Sequence, residues 1–168
     1  MLLGAPVVLV VDAAATSQPE VYADQLGANA TLLTEVRRRV GAGLVTWAEC
    51  GGLLLARRLD ACPMAGVVDV DATMTTTLTL GYRSATARVG SPMGSAGTVI
   101  RGHEFHYSVT DPRGDALHLG GRHGEGAGGF APPTALASYL HVHLAGRQAI
   151  ANRFVASCRS ALPLPYVG

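Results

Sequence analysis

The stretch that most constrains this chain is Trp47-Ala48-Glu49-Cys50-Gly51-Gly52. Leu44 to Trp47 is a short run of apolar and β-branched residues, which reads as a buried strand. Two glycines follow Cys50 at once, and Leu53-Leu54-Leu55-Ala56-Arg57-Arg58-Leu59 then reads as a helix. A strand, a polar residue on a sharp turn, a glycine pair and a helix make a nucleophile elbow. The turn lifts the Cys50 side chain clear of the sheet, and Gly51 and Gly52 leave room for a substrate. Gly51 can also turn its N–H toward that substrate. A helix start aimed at the sulfur favours thiolate over thiol. The same six residues also suit a buried structural cysteine at a tight turn, because free Cys is commonly buried.

Composition narrows the partners. At 168 residues, 48% hydrophobic and 15% charged, the chain can fill one globular core. Its formal net charge of +1 gives no reason to expect a nucleic-acid or membrane partner. All 13 basic residues are arginine, so a P-loop lysine and Schiff-base chemistry are both excluded. Cys50, Cys62 and Cys158 are an odd, sparse set; with no signal peptide they suit free thiols in a reducing cytoplasm. No apolar run approaches the roughly 20 residues of a membrane span.

Taken in order, residues 5–12 form an apolar run closing on Asp12, the pattern of a strand buried on both faces. Ala13 to Gln18 reads as a loop. Pro19-Glu20 opens a helix running to about Val40, with Tyr22, Leu26, Leu33, Val36 and Val40 near helical spacing. Arg37-Arg38-Arg39 reads as its solvated end, and Gly41-Ala42-Gly43 stops it. Residues 5–59 are thus expected to form a strand–helix–strand–helix unit with a parallel sheet. Beyond Cys62-Pro63, strands are expected at Met74–Val89, Thr98–Val109, Ala116–Leu119 and Ala137–His143, with a final helix over Arg147–Ser160 and a tail from Leu162. Gly120 to Gly129, holding Arg122, His123 and Glu125, reads as a glycine-rich loop.

A nucleophilic cysteine needs a base within hydrogen-bond reach, and imidazole titrates in the right range. Of six histidines, His103, His106, His141 and His143 fall in expected strands, whereas His118 and His123 do not stand out. His141 and His143, two apart, would share a face. Position at a strand's carboxyl edge favours one of these two without choosing between them. A metal site is the rival reading: His103, Glu104, His106, His141 and His143 are all ligand types, but no H-E-x-x-H or comparable spacing links them.

Five motifs occur together and in order: Ala48-Glu49-Cys50-Gly51-Gly52-Leu53, Met64-x-Gly66, Leu80-Gly81-Tyr82, Arg101-Gly-His-Glu-Phe-His-Tyr-Ser108 and Ser138-Tyr-Leu-His-Val-His143. Over Pro19 to about Ser160 they resemble the C-terminal glutaminase domain of cobyrinate (or hydrogenobyrinate) a,c-diamide synthases, of the class I glutamine amidotransferases. The cobyric acid synthases, with a different elbow and a Gly-Tyr-Glu-Ile-His strand, fit less well. The resemblance implies a flavodoxin-like α/β sheet with helices on both faces and mixed strands in the C-terminal half. It implies that Cys50 attacks the side-chain amide of glutamine and that His141 takes the thiol proton and returns it to ammonia. Gly51, with Gly52 beside it, would face the oxyanion. His143 stands where many class I enzymes have a glutamate; Glu49, His103, Glu104 and His106 are candidate supports of undefined role. In the full-length family enzyme, ATP and Mg²⁺ on an N-terminal P-loop domain activate the corrinoid a- and c-carboxylates that ammonia attacks. No cofactor is expected on this chain itself, and a homodimer is compatible with the resemblance.

The N-terminus departs from the family. Residues 1–18 resemble an interior strand and loop of the ATP-binding domain, and residues 19–168 the glutaminase domain, as if joined across an internal deletion. Thr16-Ser17-Gln18 stands where the family has a Gly-Gly-Gly-aromatic loop. Two N-terminal strands are expected to be missing, which would leave a sheet edge open. Losing one oxyanion donor typically costs about 10²–10³ in turnover. A truncated non-catalytic remnant, or a subunit that needs a separate ATPase chain, therefore stands beside the glutaminase reading.

Overall fold

The strand that ends at Cys50 is the middle of a three-stranded parallel sheet. In the computed structural model this sheet has the order β1 (Leu9–Val11), β2 (Thr46–Glu49), β9 (Ala135–Ser138). The structure describes residues 9–11, 22–122 and 124–161, excluding the side chains of 9–11, 51 and 53. The ends of the expected first strand, the 13–18 loop, the Pro19-Glu20 helix start, His123 and the tail from Leu162 lie outside these residues. The parallel reading holds where it is described: Leu9 pairs with Thr46 and Val11 with Ala48.

All four residues of β2 are buried, and their alternation sorts the core into two layers. Val45 and Trp47, with Leu136 of β9, pack on Ile150, Phe154 and Cys158 of the last helix, α3 (Gln148–Ser160). Ala48, Ala135 and Ala137 face Leu33, Val36 and Val40 of α2 (Ala30–Gly41) on the other side. Helices therefore cover both faces of the parallel sheet, as expected. The expected single helix before it is instead two, α1 (Ala23–Ala28) and α2, broken at Asn29. Asn29 Oδ1 accepts a hydrogen bond from Leu32 N at 3.1 Å, so the residue caps the second helix rather than continuing the first.

The remaining strands build a second, mixed sheet in the order β10 (Leu140–His141), β6 (Val99–Asp111), β5 (Asp71–Ala87), β3 (Arg58–Leu59), β4 (Cys62–Pro63), with β7 (Leu117–Gly121) on β5 and β8 (Gly126–Gly128) on β7. Two expectations are corrected here. The glycine-rich segment 120–129 is not simply a loop. Gly120 and Gly121 enter β7, and Gly126 and Gly128 enter β8, where Leu117 pairs with Gly128 and Leu119 with Gly126. The helix expected over residues 53–59 is a five-residue 3₁₀ turn, Gly51–Leu55, followed by β3. The carbonyls of Leu54, Leu55 and Ala56 accept from the amides of Ala65, Val68 and Gly66. They are therefore taken before an i to i+4 ladder can form.

Trp47 and Phe154 meet edge to face at 5.6 Å between ring centroids and are 4% and 6% exposed, so this pair anchors α3 to the sheet. Phe154→Ala is expected to lower unfolding free energy by about 3–5 kcal/mol in urea titrations.

Candidate active site

Cys50 sits where β2 ends. Its φ of 43° is left-handed, a conformation that a non-glycine side chain adopts at an energetic cost. The backbone is held there: Cys50 N–H donates to the Ser138 carbonyl at 2.9 Å, one step beyond the last parallel pair, Glu49 with Ser138. The Cys50 thiol lies 3.6 Å from the Phe105 carbonyl of β6. A turn of this shape is the elbow read from the sequence. The short 3₁₀ segment after it does not supply the dipole of a full helix.

The segment 138–143 does not form one strand. Ser138 Oγ accepts from Leu140 N at 3.3 Å, a local turn that carries the chain through Tyr139 out of the parallel sheet and into the mixed one. There Leu140 pairs with Glu104 and His141 with His103. Pairing stops at His141, so the two histidines do not share a strand face. His141 is buried, whereas His143 is exposed and opens the Leu144–Gly146 turn.

His141 Nδ1 stands 3.2 Å from the His103 carbonyl. A carbonyl only accepts, so Nδ1 carries the hydrogen and Nε2 is the acceptor nitrogen of the neutral ring. Gly102 permits this approach: a Cβ there would clash with the His141 carbonyl. The His103 and His141 rings stack at 4.8 Å. Burial first, then the neighbouring His141, lowers the pKa of His103, which favours its neutral form.

The Arg101–Ser108 motif divides between two faces. His103 turns toward His141, while Glu104 and His106 are buried on the opposite side of β6. Glu104 accepts from Arg83 Nε at 2.6 Å in a pair only 7% and 10% exposed. Burial would raise the Glu104 carboxyl, but His106 and Arg83 outweigh it and hold it below its usual value. Arg83 makes the hydrogen bond; His106 Nε2 stands farther off, at 3.9 Å. His106 Nδ1 donates to the Ser108 carbonyl at 2.7 Å, and its ring stacks on Tyr139 at 3.8 Å. This cluster borders a cavity of about 190 Å³. A narrower one of about 30 Å³, room for a water or two, opens over Cys50 and Gly52. The two share the wall formed by Thr110, Arg113, Gly129, Ser138 and Tyr139.

Sequence reasoning missed Arg83 and Tyr139 as companions of this motif; the Leu80-Gly-Tyr-Arg83 spacing was the available signal. Among the described residues no three His, Cys, Asp or Glu side chains gather as a metal site, and no helix is long and apolar enough to cross a membrane.

A cysteine on a strained turn at the end of a buried parallel strand, helices on both faces and a mixed sheet beside it define a class I glutamine amidotransferase-like fold. Residues 14–149 match the family model of the CobB/CobQ-like glutamine amidotransferase domain, and the chain belongs to that family. It is 44% identical over 146 residues to the hydrogenobyrinate a,c-diamide synthase of Streptomyces coelicolor, covering 85% of this chain and 30% of the relative. It is 36% identical over 159 residues to the cobyrinate a,c-diamide synthase of Synechococcus, covering 87% and 34%. The corresponding enzyme of Salmonella typhimurium is 34% identical over 157 residues, covering 86% and 34%. The chain thus spans about a third of the length of these curated relatives.

Glu104→Gln leaves Arg83 buried without its anion, and an expected loss of about 3–5 kcal/mol should appear at neutral pH in denaturant unfolding. Because the folded carboxyl lies below its ordinary value of 4.5, its contribution is present above that value and is lost as pH falls through the lower folded one. The gap between wild type and variant should therefore narrow on acidification below about pH 4.5.

Proposed function

We propose that this chain is the glutamine-hydrolysing part of a cobyrinate or hydrogenobyrinate a,c-diamide synthase. The observation that carries the reading is the attachment of Cys50, on its left-handed turn, to the segment bearing His141 through the Ser138 carbonyl. In this reading His141 Nε2 takes the Cys50 thiol proton. The thiolate adds to the side-chain amide carbon of glutamine, and Gly51 N–H, with Gly52 leaving space, faces the oxyanion. The imidazolium returns its proton to the departing nitrogen, releasing ammonia and leaving a thioester on Cys50. Water, deprotonated by the same imidazole, then cleaves the thioester to give glutamate and free thiol.

The ammonia would be used elsewhere. These 168 residues contain neither a lysine nor a P-loop run, so the ATP- and Mg²⁺-dependent activation of the corrinoid carboxylates belongs to another part of the assembly. Glutamine is the small molecule this chain binds, and the ATP-using domain is its functional partner.

The test is labelling by diazo-oxo-norleucine, a glutamine-like electrophile, mapped by mass spectrometry. Cys50 should be modified and glutamine should protect it, while Cys50→Ala takes no label. Cys62 and Cys158 should stay unlabelled. A hydrogen bond to Asp24 pushes the Cys62 thiol up, and burial does the same for Cys158. His141→Ala should slow Cys50 labelling by at least about 10²-fold, the scale of a lost general base. Folded protein whose Cys50 resists labelling would overturn the proposal.

A further inference from the structure

Glu49 immediately precedes the cysteine and is only 7% exposed. Its carboxylate oxygen Oε1 accepts a hydrogen bond from the backbone N–H of Val142 at 2.7 Å. That amide lies one residue past the end of β10, where the ladder to β6 has no further pair to offer it. Two consecutive residues of the elbow therefore grip the segment carrying His141 on either side of it. Cys50 N–H holds the Ser138 carbonyl before the histidine, and Glu49 Oε1 holds the Val142 amide after it. A third contact, from His141 Nδ1–H to the His103 carbonyl, fixes the ring.

From this bracket we infer that Glu49 is the positioning residue of the Cys50–His141 pair. It sets the imidazole by gripping the main chain beside it, in place of a carboxylate bonded to the ring. The inference rests on the Cys50–His141 reading above. Many class I enzymes place a glutamate two residues after the histidine; here that position is His143, which is exposed and has left the strand. The orienting work falls to two groups instead, the His103 carbonyl on Nδ1 and the Glu49 carboxylate on the neighbouring amide. An oxygen of residue 49 accepting from the Val142 amide at 2.7 Å holds the main chain as a ladder bond would. Because Glu49 and Cys50 are covalently adjacent, nucleophile and base cannot drift apart without breaking this bond. An error of about 1 Å in such a spacing costs on the order of 10²-fold in rate.

What the bracket requires of residue 49 is an acceptor at the right reach, not a negative charge. Glu49→Gln keeps that reach and acceptor, Glu49→Asp keeps the charge but is one methylene short, and Glu49→Ala has neither. The experiment measures the rate of Cys50 alkylation by iodoacetamide from pH 5.5 to 9 on the intact chain, with Cys62 and Cys158 as internal references and circular dichroism as the check of folding. Glu49→Ala and Glu49→Asp should move the Cys50 profile toward that of His141→Ala, an alkaline shift of about one pH unit and a tenfold slower reaction at neutral pH. Glu49→Gln should stay within about threefold of wild type. A merely structural loss would slow nothing at Cys50 once the protein is folded. If Glu49→Ala does not fold, the Gln and Asp variants carry the same contrast. Wild-type kinetics in Glu49→Asp, or Glu49→Gln as slow as Glu49→Asp, overturns the inference. If His141→Ala itself leaves the Cys50 profile unchanged, it is the Cys50–His141 reading that fails.

Discussion

The parallel pairing of β2 with β9 is the constraint on which the rest of this site depends. Four registered pairs, from Thr46 with Ala135 to Glu49 with Ser138, bring two strand ends level. Cys50 and Tyr139 then leave the sheet from the same edge. The carboxyl end of a parallel sheet is where α/β proteins place their chemistry, since the chain must turn there with polar groups exposed. Here the burial of β2 on both faces fixes the register. A slip of one residue would send Trp47 to the small-residue side packed on α2 and Ala48 to the side packed on α3.

The mixed sheet supplies what the parallel one lacks. Long β6 presents alternate residues to two compartments: His103 to the stacked partner His141, and Glu104 and His106 to the cavity behind Tyr139. A single motif thus serves both a stacked ring pair, of which His103 is exposed and His141 buried, and a buried charge cluster. The cluster is satisfied mainly through Arg83, whose guanidinium also reaches the Gly124 carbonyl at 3.2 Å. Removing either charge would leave the other buried alone, so the two residues are bound to each other's presence.

The elbow was the most legible part of the chain, because strand, cysteine and paired glycines are all local signals. The two-face core was legible too: the spacing of Leu33, Val36 and Val40 and the buried run ending at Trp47 each report their own neighbours. What the residues did not reveal was competition for backbone groups. Nothing local in Leu53–Leu59 says that amides from residues 65–68 will take its carbonyls and end the helix after one turn. Likewise, Ser138 to His143 alternates like one strand, and only the Ser138 Oγ bond to Leu140 N shows why it breaks. The glycines of 120–129 read as a loop because their extended pairing is imposed by β7.

The handover at Tyr139 has a mechanical consequence. A single residue joins the last strand of one layer to the first of the other, and the thiol and the imidazole stand on opposite banks of that seam. Two hydrogen bonds cross that seam, from the Val142 amide to Glu49 and from the Cys50 thiol to the Phe105 carbonyl. A sliding of one layer over the other must strain this stitching before it can part sulfur from ring.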